Sequence, residues 1–165
     1  MGRVDVTSKR GQKECFYSFS SFTVPGTIYQ YDMAQNKSTV YTEPKVKFDL
    51  GKYTTEQVFF ISKDGTHVPM FLTYRKGLKH NGKNPVLIYG YGGFNISLSP
   101  NFSSMRIPFL ENGGIYVQVN LRGGSEYGEE WHVAGTKMQK QNVFDDFISA
   151  VDGVVAQHTP IHGHT

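Results

Sequence analysis

The segment from Tyr89 to Asn95 holds the groups best suited to chemistry. Its sequence is Tyr-Gly-Tyr-Gly-Gly-Phe-Asn, and it directly follows a predicted strand, so it turns at the carboxyl end of a sheet, where α/β folds bind ligands. Glycines there let backbone N–H groups approach a ligand, and the Tyr91 hydroxyl can donate to an oxyanion during acyl transfer. A tight turn with two core tyrosines is the simpler interpretation, and it stays open on these residues alone.

Two residues of a second loop, Ser125 and Arg122, are weaker candidates. Ser125 lies in Gly123-x-Ser125-x-Tyr127, which lacks the second glycine of a G-x-S-x-G nucleophile elbow and does not open directly into a helix. We therefore expect Ser125 to be a polar loop residue near the Tyr91 turn, and Arg122 to be a structural hydrogen-bond donor of that loop. A phosphate-binding loop is excluded, because neither G-x-G-x-x-G spacing nor a following Gly-Lys-Ser/Thr is present.

The remaining candidates carry no predicted chemistry. Asp145 and Asp146 are adjacent and cannot both face one site on a helix, so we assign them to the first turn of a helix, where the dipole favours acidic residues. His158 and His162 have H-x3-H spacing, but a zinc site needs three or four ligands, so we expect no metal site and no cofactor. Cys15 lies in an apolar run and is expected to be a buried structural thiol.

Short β-strands separated by turn signals fill the chain to about residue 46. The turn signals are Pro25-Gly26 and the polar residues around Asn36. Such a meander is typical of one blade of a β-propeller, although three strands fit a sandwich fragment or an edge hairpin equally well. The predicted strands are Cys15–Phe19, Thr27–Asp32 and Ser38–Tyr41.

The pattern changes at Thr55, where alternating strands and helices begin. A hairpin is predicted around the Asp64-Gly65 turn, and two short apolar runs bounded by glycines are typical of buried strands. Apolar residues then recur at helical spacing near the end of the chain. This order predicts an α/β sheet with buried parallel strands. The predicted elements are strands Gln57–Ile61, Val68–Tyr74, Val86–Tyr89 and Ile115–Asn120, a partly helical stretch Met105–Leu110, and a helix Asn142–Gln157.

The composition restricts the partners and the compartment. The formal net charge is +3, but the lysines are scattered through loops and form no basic stripe interleaved with aromatic residues, so nucleic acid is not an expected partner. A single cysteine makes no internal disulfide, and no apolar stretch is long enough for a signal peptide or a membrane span. We therefore expect a cytoplasmic protein that does not associate with membranes.

Three sequence blocks resemble consecutive blocks of the prolyl oligopeptidases, cytosolic serine peptidases that cut short peptides after proline. The blocks are NPVLIYGYGGFNIS, GGIYVQVNLRGGSEYGEEWH and KQNVFDDFISAV. Upstream, YSFSSFTVPGTIYQYD resembles the end of the family's β-propeller, and SKDGTHVPMFLTYRKG resembles the first hairpin of its catalytic domain. The resemblance runs from about Phe16 to about Val151. It implies the N-terminal part of an α/β-hydrolase domain, residues 49–165, preceded by the remnant of a propeller blade, residues 1–48.

The resemblance also implies roles for two residues. In the family, the second tyrosine of the YGYGGF block donates its hydroxyl to the oxyanion, and the phenylalanine lines the site beside the bound peptide. These positions correspond to Tyr91 and Phe94. Ser125 departs from the family pattern, which has a third glycine there.

The family order places the nucleophilic serine, the aspartate and the histidine downstream of Thr165, so we expect an internal fragment that is inactive alone. Its open sheet edge predicts poor solubility. A truncated, non-catalytic paralogue that acts as an interaction module is the alternative hypothesis.

Overall fold

The computed structural model describes residues 2–79 and 81–156, and the chain forms two compact units. One unit contains Met1–Tyr53 together with Ser99–Ile107, and the other contains Thr54–Leu98 together with Pro108–Thr165. The predicted boundary between residues 48 and 49 stays a prediction.

The first unit is built on a four-stranded antiparallel meander. Its strands follow one another in space as they do in the chain, and the rings of Tyr17 and Tyr29 stack across two of them with centroids 5.0 Å apart. The turn after the third strand is fixed because the Asp32 carboxylate accepts hydrogen bonds from two following backbone N–H groups, and Asn36 takes a left-handed conformation. The strands are β1 (Arg3–Thr7), β2 (Glu14–Ser20), β3 (Thr27–Asp32) and β4 (Lys37–Thr42). The three predicted strands are confirmed, and β1 was not predicted.

The second unit contains a mixed four-stranded sheet with the order β5-β6-β8-β7. A hairpin joins the first two strands, and its turn is closed by the N–H groups of Ser62 and Gly65. β8 lies between β6, which is antiparallel to it, and β7, which is parallel to it. The strands are β5 (Tyr53–Ile61), β6 (His67–Arg75), β7 (Val86–Gly90) and β8 (Ile115–Val119), and the α-helices are α1 (Ile107–Glu111), α2 (Glu129–Val133) and α3 (Gln141–Ala156).

The core of this unit lies between one face of the sheet and α3. Alternate residues of β6 and β8 point to this face, because successive side chains of a strand point to opposite sides. α3 contributes Val143 and Ala150, which lie on the same face of the helix because they are seven residues, or about two turns, apart. The buried cluster consists of Phe60, Val68, Met70, Leu72, Ile115, Val117, Val119, Leu121, Val143 and Ala150.

Two predictions about these elements were wrong. β7 is not a fully buried strand: it is at the edge of the sheet, and Leu87 and Tyr89 on one of its faces are exposed. β8 is buried along its whole length, as predicted. α3 begins at Gln141 and has no acidic residue in its first turn, so the helix dipole does not explain Asp145 and Asp146.

Within the described part of the chain, no helix combines the length and apolarity needed to span a bilayer.

Candidate active site

The turn that bears Tyr91 lies at the carboxyl end of β7. Gly92 has a φ of +59°, and the side chain of Tyr91 is 44% exposed while Gly92 and Gly93 are buried. Phe94 is 84% exposed, and its ring centroid is 6.4 Å from that of Tyr91. The two residues chosen from the sequence are therefore neighbours on the surface, above a buried glycine turn.

The backbone after the turn is held in an uncommon conformation. Phe94 and Asn95 have φ values of +52° and +56°, a left-handed region that costs a non-glycine residue about 1–2 kcal/mol. Two hydrogen bonds stabilise it: Asn95 N–H donates to the Gly123 carbonyl at 3.2 Å, and Ile96 N–H donates to the Gly93 carbonyl at 3.1 Å. Such strain concentrates at functional sites, and here it holds a large aromatic side chain out in solvent.

Three glycines allow close packing of the Tyr91 turn, α3, the loop that follows β8 and the segment after α2. A Cβ atom on Gly92 would lie 2.4 Å from Val143 Cγ1, and one on Gly123 would lie 2.8 Å from the Gly92 carbonyl oxygen. A Cβ on Gly135 would lie 2.4 Å from the backbone nitrogen of Gly123. Because these distances exclude any side chain, the turn and its supporting loop are in backbone contact. The sequence shows that these positions are glycines, but it does not show which part of the chain each glycine packs against.

Side chains of α2 hold the supporting loop in place. The Trp131 indole N–H donates to the Leu121 carbonyl at 3.1 Å, and His132 Nδ1 is 2.8 Å from the Gly123 carbonyl oxygen. Ser125 lies in this loop and is half-buried. In residues 2–79 and 81–156, its hydroxyl makes no hydrogen bond to a histidine, which is the contact a serine nucleophile requires.

Glu126 ties the segment after Phe94 to β8. Its Oε1 atom accepts a hydrogen bond from the Leu98 backbone N–H at 2.9 Å and another from Asn120 Nδ2 at 3.0 Å. The Leu98 carbonyl in turn accepts from Asn120 Nδ2 at 3.0 Å and from Gln118 Nε2 at 3.1 Å. Both ends of the strained segment are therefore anchored to the supporting loop or to β8.

A buried ion pair between Arg122 and Asp146 connects α3 to the end of β8. The two side chains are 5% and 0% exposed, and Arg122 Nη2 lies 2.6 Å from Asp146 Oδ1. Arg122 Nε is 2.9 Å from Asp146 Oδ2, and the backbone N–H of Arg122 donates to the same oxygen at 3.2 Å. The Ser62 hydroxyl, in the hairpin turn, donates to Asp146 Oδ1 at 2.6 Å. Asp146 is thus a partner of Arg122, which corrects its assignment to a helix-dipole role.

The same guanidinium also holds the hairpin turn through Asp64 and Thr66. Arg122 Nη1 lies 2.5 Å from Asp64 Oδ2 and 3.1 Å from Thr66 Oγ1. The hydrogen bond from Arg122 holds the pKa of Asp64 well below its ordinary value of 3.8. The hydrogen bond to Asp146, reinforced by Asp64, raises the pKa of Arg122 in spite of its burial, so this side chain stays charged. Arg122 therefore has the expected structural role, and it links the end of β8, α3 and the turn between β5 and β6.

The structure places Tyr91 at the carboxyl end of β7 with 44% of its surface exposed, and its role in acyl transfer stays a prediction. No group of His, Cys, Asp or Glu side chains in residues 2–79 and 81–156 is arranged to hold a metal ion. His158 and His162, the pair considered for a metal, lie outside the described residues.

The chain matches two family models. The model of the prolyl oligopeptidase N-terminal β-propeller domain matches residues 1–44, and that of the prolyl oligopeptidase family matches residues 100–162. The prolyl endopeptidase of Elizabethkingia meningoseptica is 54% identical over 142 residues, 86% of this chain and 20% of the relative. The chain belongs to the prolyl oligopeptidase family.

Solved structures of prolyl oligopeptidases agree with this assignment. A chain from a structural and mechanistic study of two prolyl endopeptidases has a TM-score of 0.91 and 45% identity, covering 95% of this chain and 23% of that chain. Prolyl oligopeptidase B from Galerina marginata, bound to a 25mer macrocyclization substrate, has a TM-score of 0.91 and 37% identity, covering 95% and 22%. The predicted family and fold class are confirmed. The chain spans about a fifth of the length of the curated relatives that it matches.

Proposed function

We propose that this chain supplies the oxyanion-stabilising part of a serine endopeptidase that hydrolyses short peptides after proline. The observation that supports this most is the Tyr91 turn, which follows a parallel edge strand and leaves Tyr91 44% exposed beside the buried backbone of Gly92 and Gly93. A preorganised donor at this position stabilises the charge of a tetrahedral intermediate, because it needs no reorganisation when the charge develops.

Phe94 is the proposed contact for the substrate. Its side chain is held outward by a left-handed backbone, next to Tyr91, and an exposed aromatic ring beside the reacting carbonyl can pack against an apolar peptide side chain. The Galerina enzyme named above was solved bound to a 25mer macrocyclization substrate, which supports a peptide as the substrate class proposed for this chain.

The proposal extends to the domains and the compartment. Residues 1–48 belong to a propeller that limits access to short peptides, and residues 49–165 belong to the peptidase domain. The protein acts in the cytoplasm, needs no cofactor or metal, and has no nucleic acid or membrane as a partner. A complete Ser-His-Asp triad is required for the reaction, and no serine hydroxyl donates to a histidine in the described part of the chain.

A chimeric enzyme tests this function. The chain replaces the 142-residue stretch that it matches in the Elizabethkingia meningoseptica enzyme, and turnover of a fluorogenic peptide ending in Gly-Pro is measured. We expect the chimera to be active and the isolated chain to be inactive, because loss of a triad typically costs about 10⁶ in kcat. A correctly folded but inactive chimera would contradict the proposal.

The alternative is a non-catalytic paralogue that binds a partner through the free edge of β7. The exposed side chains of Leu87 and Tyr89 favour it. An inactive chimera whose triad still reacts with a serine-directed phosphonate would support this alternative, since the triad would then be intact and the transplanted segment defective.

A further inference from the structure

The ammonium group of Lys140 lies against the peptide that joins Gly92 and Gly93. Its Nζ atom donates a hydrogen bond to the Gly92 carbonyl oxygen at 2.7 Å. The same atom lies 3.7 Å from the position that a Cβ of Gly93 would occupy. A charge-assisted hydrogen bond from a residue 48 positions away therefore holds the turn that bears Tyr91.

This peptide is the part of the turn with the least intrinsic restraint. Glycine tolerates both signs of φ, so a Gly-Gly peptide can rotate between two orientations at low cost. Because the C=O and N–H of a trans peptide point in opposite directions, rotation would exchange the positions of the Gly92 carbonyl and the Gly93 N–H. A carbonyl oxygen turned toward a developing oxyanion would repel it. The orientation of this peptide thus decides whether the turn attracts or repels the oxyanion of a tetrahedral intermediate.

The position of Lys140 is unfavourable for the helix that follows. It immediately precedes Gln141, the first residue of α3, where the positive end of the helix dipole disfavours a cation. No acidic residue in the first turn compensates for that charge. Departures from local preference of this kind are concentrated at functional sites, and the contact that Lys140 makes is with the Gly92 carbonyl.

We propose that Lys140 is a positioning residue that locks the Gly92–Gly93 peptide in the orientation compatible with oxyanion stabilisation by Tyr91. The inference rests on the proposed function, since it concerns the geometry of the same turn. Lys140 acts through the backbone and does not itself contact the reacting atoms. An arginine can make the same contact, whereas methionine or glutamine removes the charge and keeps much of the side chain.

The test compares Lys140→Met, Lys140→Gln and Lys140→Arg with the control Lys137→Met, which alters an exposed lysine of the same connection. Hydrogen exchange is followed by mass spectrometry at the amides of Asn95 and Ile96, in the chimeric enzyme and in the chain itself. We expect exchange about tenfold faster in the methionine and glutamine variants, as for the loss of one charge-assisted hydrogen bond, and unchanged exchange in the control.

Kinetics in the chimera complete the test. In the methionine and glutamine variants we expect kcat to fall about tenfold while KM stays within about twofold, and arginine to restore most of the loss. Unchanged exchange, or faster exchange with an unchanged kcat, would overturn the inference. A chimera in which Tyr91→Phe has no effect on kcat would instead refute the proposed function, whatever Lys140 does to exchange.

Discussion

Replacing Asp146 by asparagine removes one charge from a fully buried ion pair and leaves the side-chain volume almost unchanged. The carboxylate accepts hydrogen bonds from the Arg122 guanidinium, from the Arg122 backbone N–H and from the Ser62 hydroxyl. Asparagine keeps one acceptor oxygen, and its amide N–H groups would face the donors of Arg122. The variant therefore leaves a buried guanidinium with one full counter-charge, that of Asp64.

The magnitude follows from burial. Breaking a buried ion pair by removing one partner costs about 3–5 kcal/mol, and since Asp64 retains part of the attraction we expect about 3 kcal/mol. This is a large share of the roughly 5–15 kcal/mol by which an ordinary domain is stable. The neighbouring variant Asp145→Asn is the matched control, because its partner Lys63 is mostly exposed and 3.7 Å away. The Asp145 side chain is 17% exposed and also accepts a hydrogen bond from Gln141 Nε2, but its cationic partner lies largely in solvent, and a pair of this kind contributes about 0–1 kcal/mol.

Urea denaturation followed by tryptophan fluorescence measures both effects. Trp131 is the single tryptophan of the chain, and its indole donates to the carbonyl of Leu121, the residue before Arg122. With a urea m-value of about 1–3 kcal/mol/M, a loss of about 3 kcal/mol lowers the midpoint by about 1–3 M.

Two outcomes would refute this reasoning. One is a midpoint for Asp146→Asn that matches that of Asp145→Asn. The other concerns the double variant Arg122→Met with Asp146→Leu, which removes both charges and which we expect to be more stable than Asp146→Asn. A double variant less stable than the single one would show that the charges themselves are not responsible.

Three further predictions concern separate parts of the second unit. Because its guanidinium partner lowers the pKa of Asp64, this carboxylate contributes stability that is fully present above about pH 4 and is lost as the pH falls toward its folded-state pKa. The stability difference between the native chain and Asp64→Asn should thus shrink in urea titrations below about pH 4, and a difference independent of pH would contradict this. Gly92→Ala should lower the free energy of unfolding by about 2 kcal/mol or more, because Gly92 has a positive φ and an added Cβ would lie 2.4 Å from Val143 Cγ1. The control Gly93→Ala should lower it by less than about 1 kcal/mol, and equal melting temperatures for the two variants would contradict this prediction. Leu87→Lys, on the edge strand β7, should reduce self-association measured by light scattering, and an unchanged particle size would argue against the free edge as its cause.

Local patterns predicted most of the elements. The strands β2, β3, β5 and β6 were found because β-rich runs end at turn signals, and α3 was found from its apolar period. β1 was missed although Val4 and Val6 alternate with polar residues, because this alternation covers only five residues. The edge position of β7 is decided by sheet order, which strand composition does not encode.

The candidate site was predictable only in part. Tyr91 and Phe94 were chosen from a resemblance and from a glycine turn after a strand, and the structure places them side by side. The partner of Arg122 was missed because adjacent aspartates look alike in a sequence. One signal was available: Asp146 falls three residues after Val143 and four before Ala150, on the buried face of α3, where an acid requires a partner.

The kcat of the chimeric enzyme with Tyr91→Phe tests the central claim most directly. Tyr89→Phe is the matched control, since it removes a hydroxyl two residues away from an equally exposed ring. We predict that Tyr91→Phe lowers kcat by about 10²–10³ with little change in KM, as for loss of one oxyanion donor, and that the control is within about twofold of the unmodified chimera. Equal kcat values for the two variants would contradict the claim that this chain stabilises the oxyanion through Tyr91.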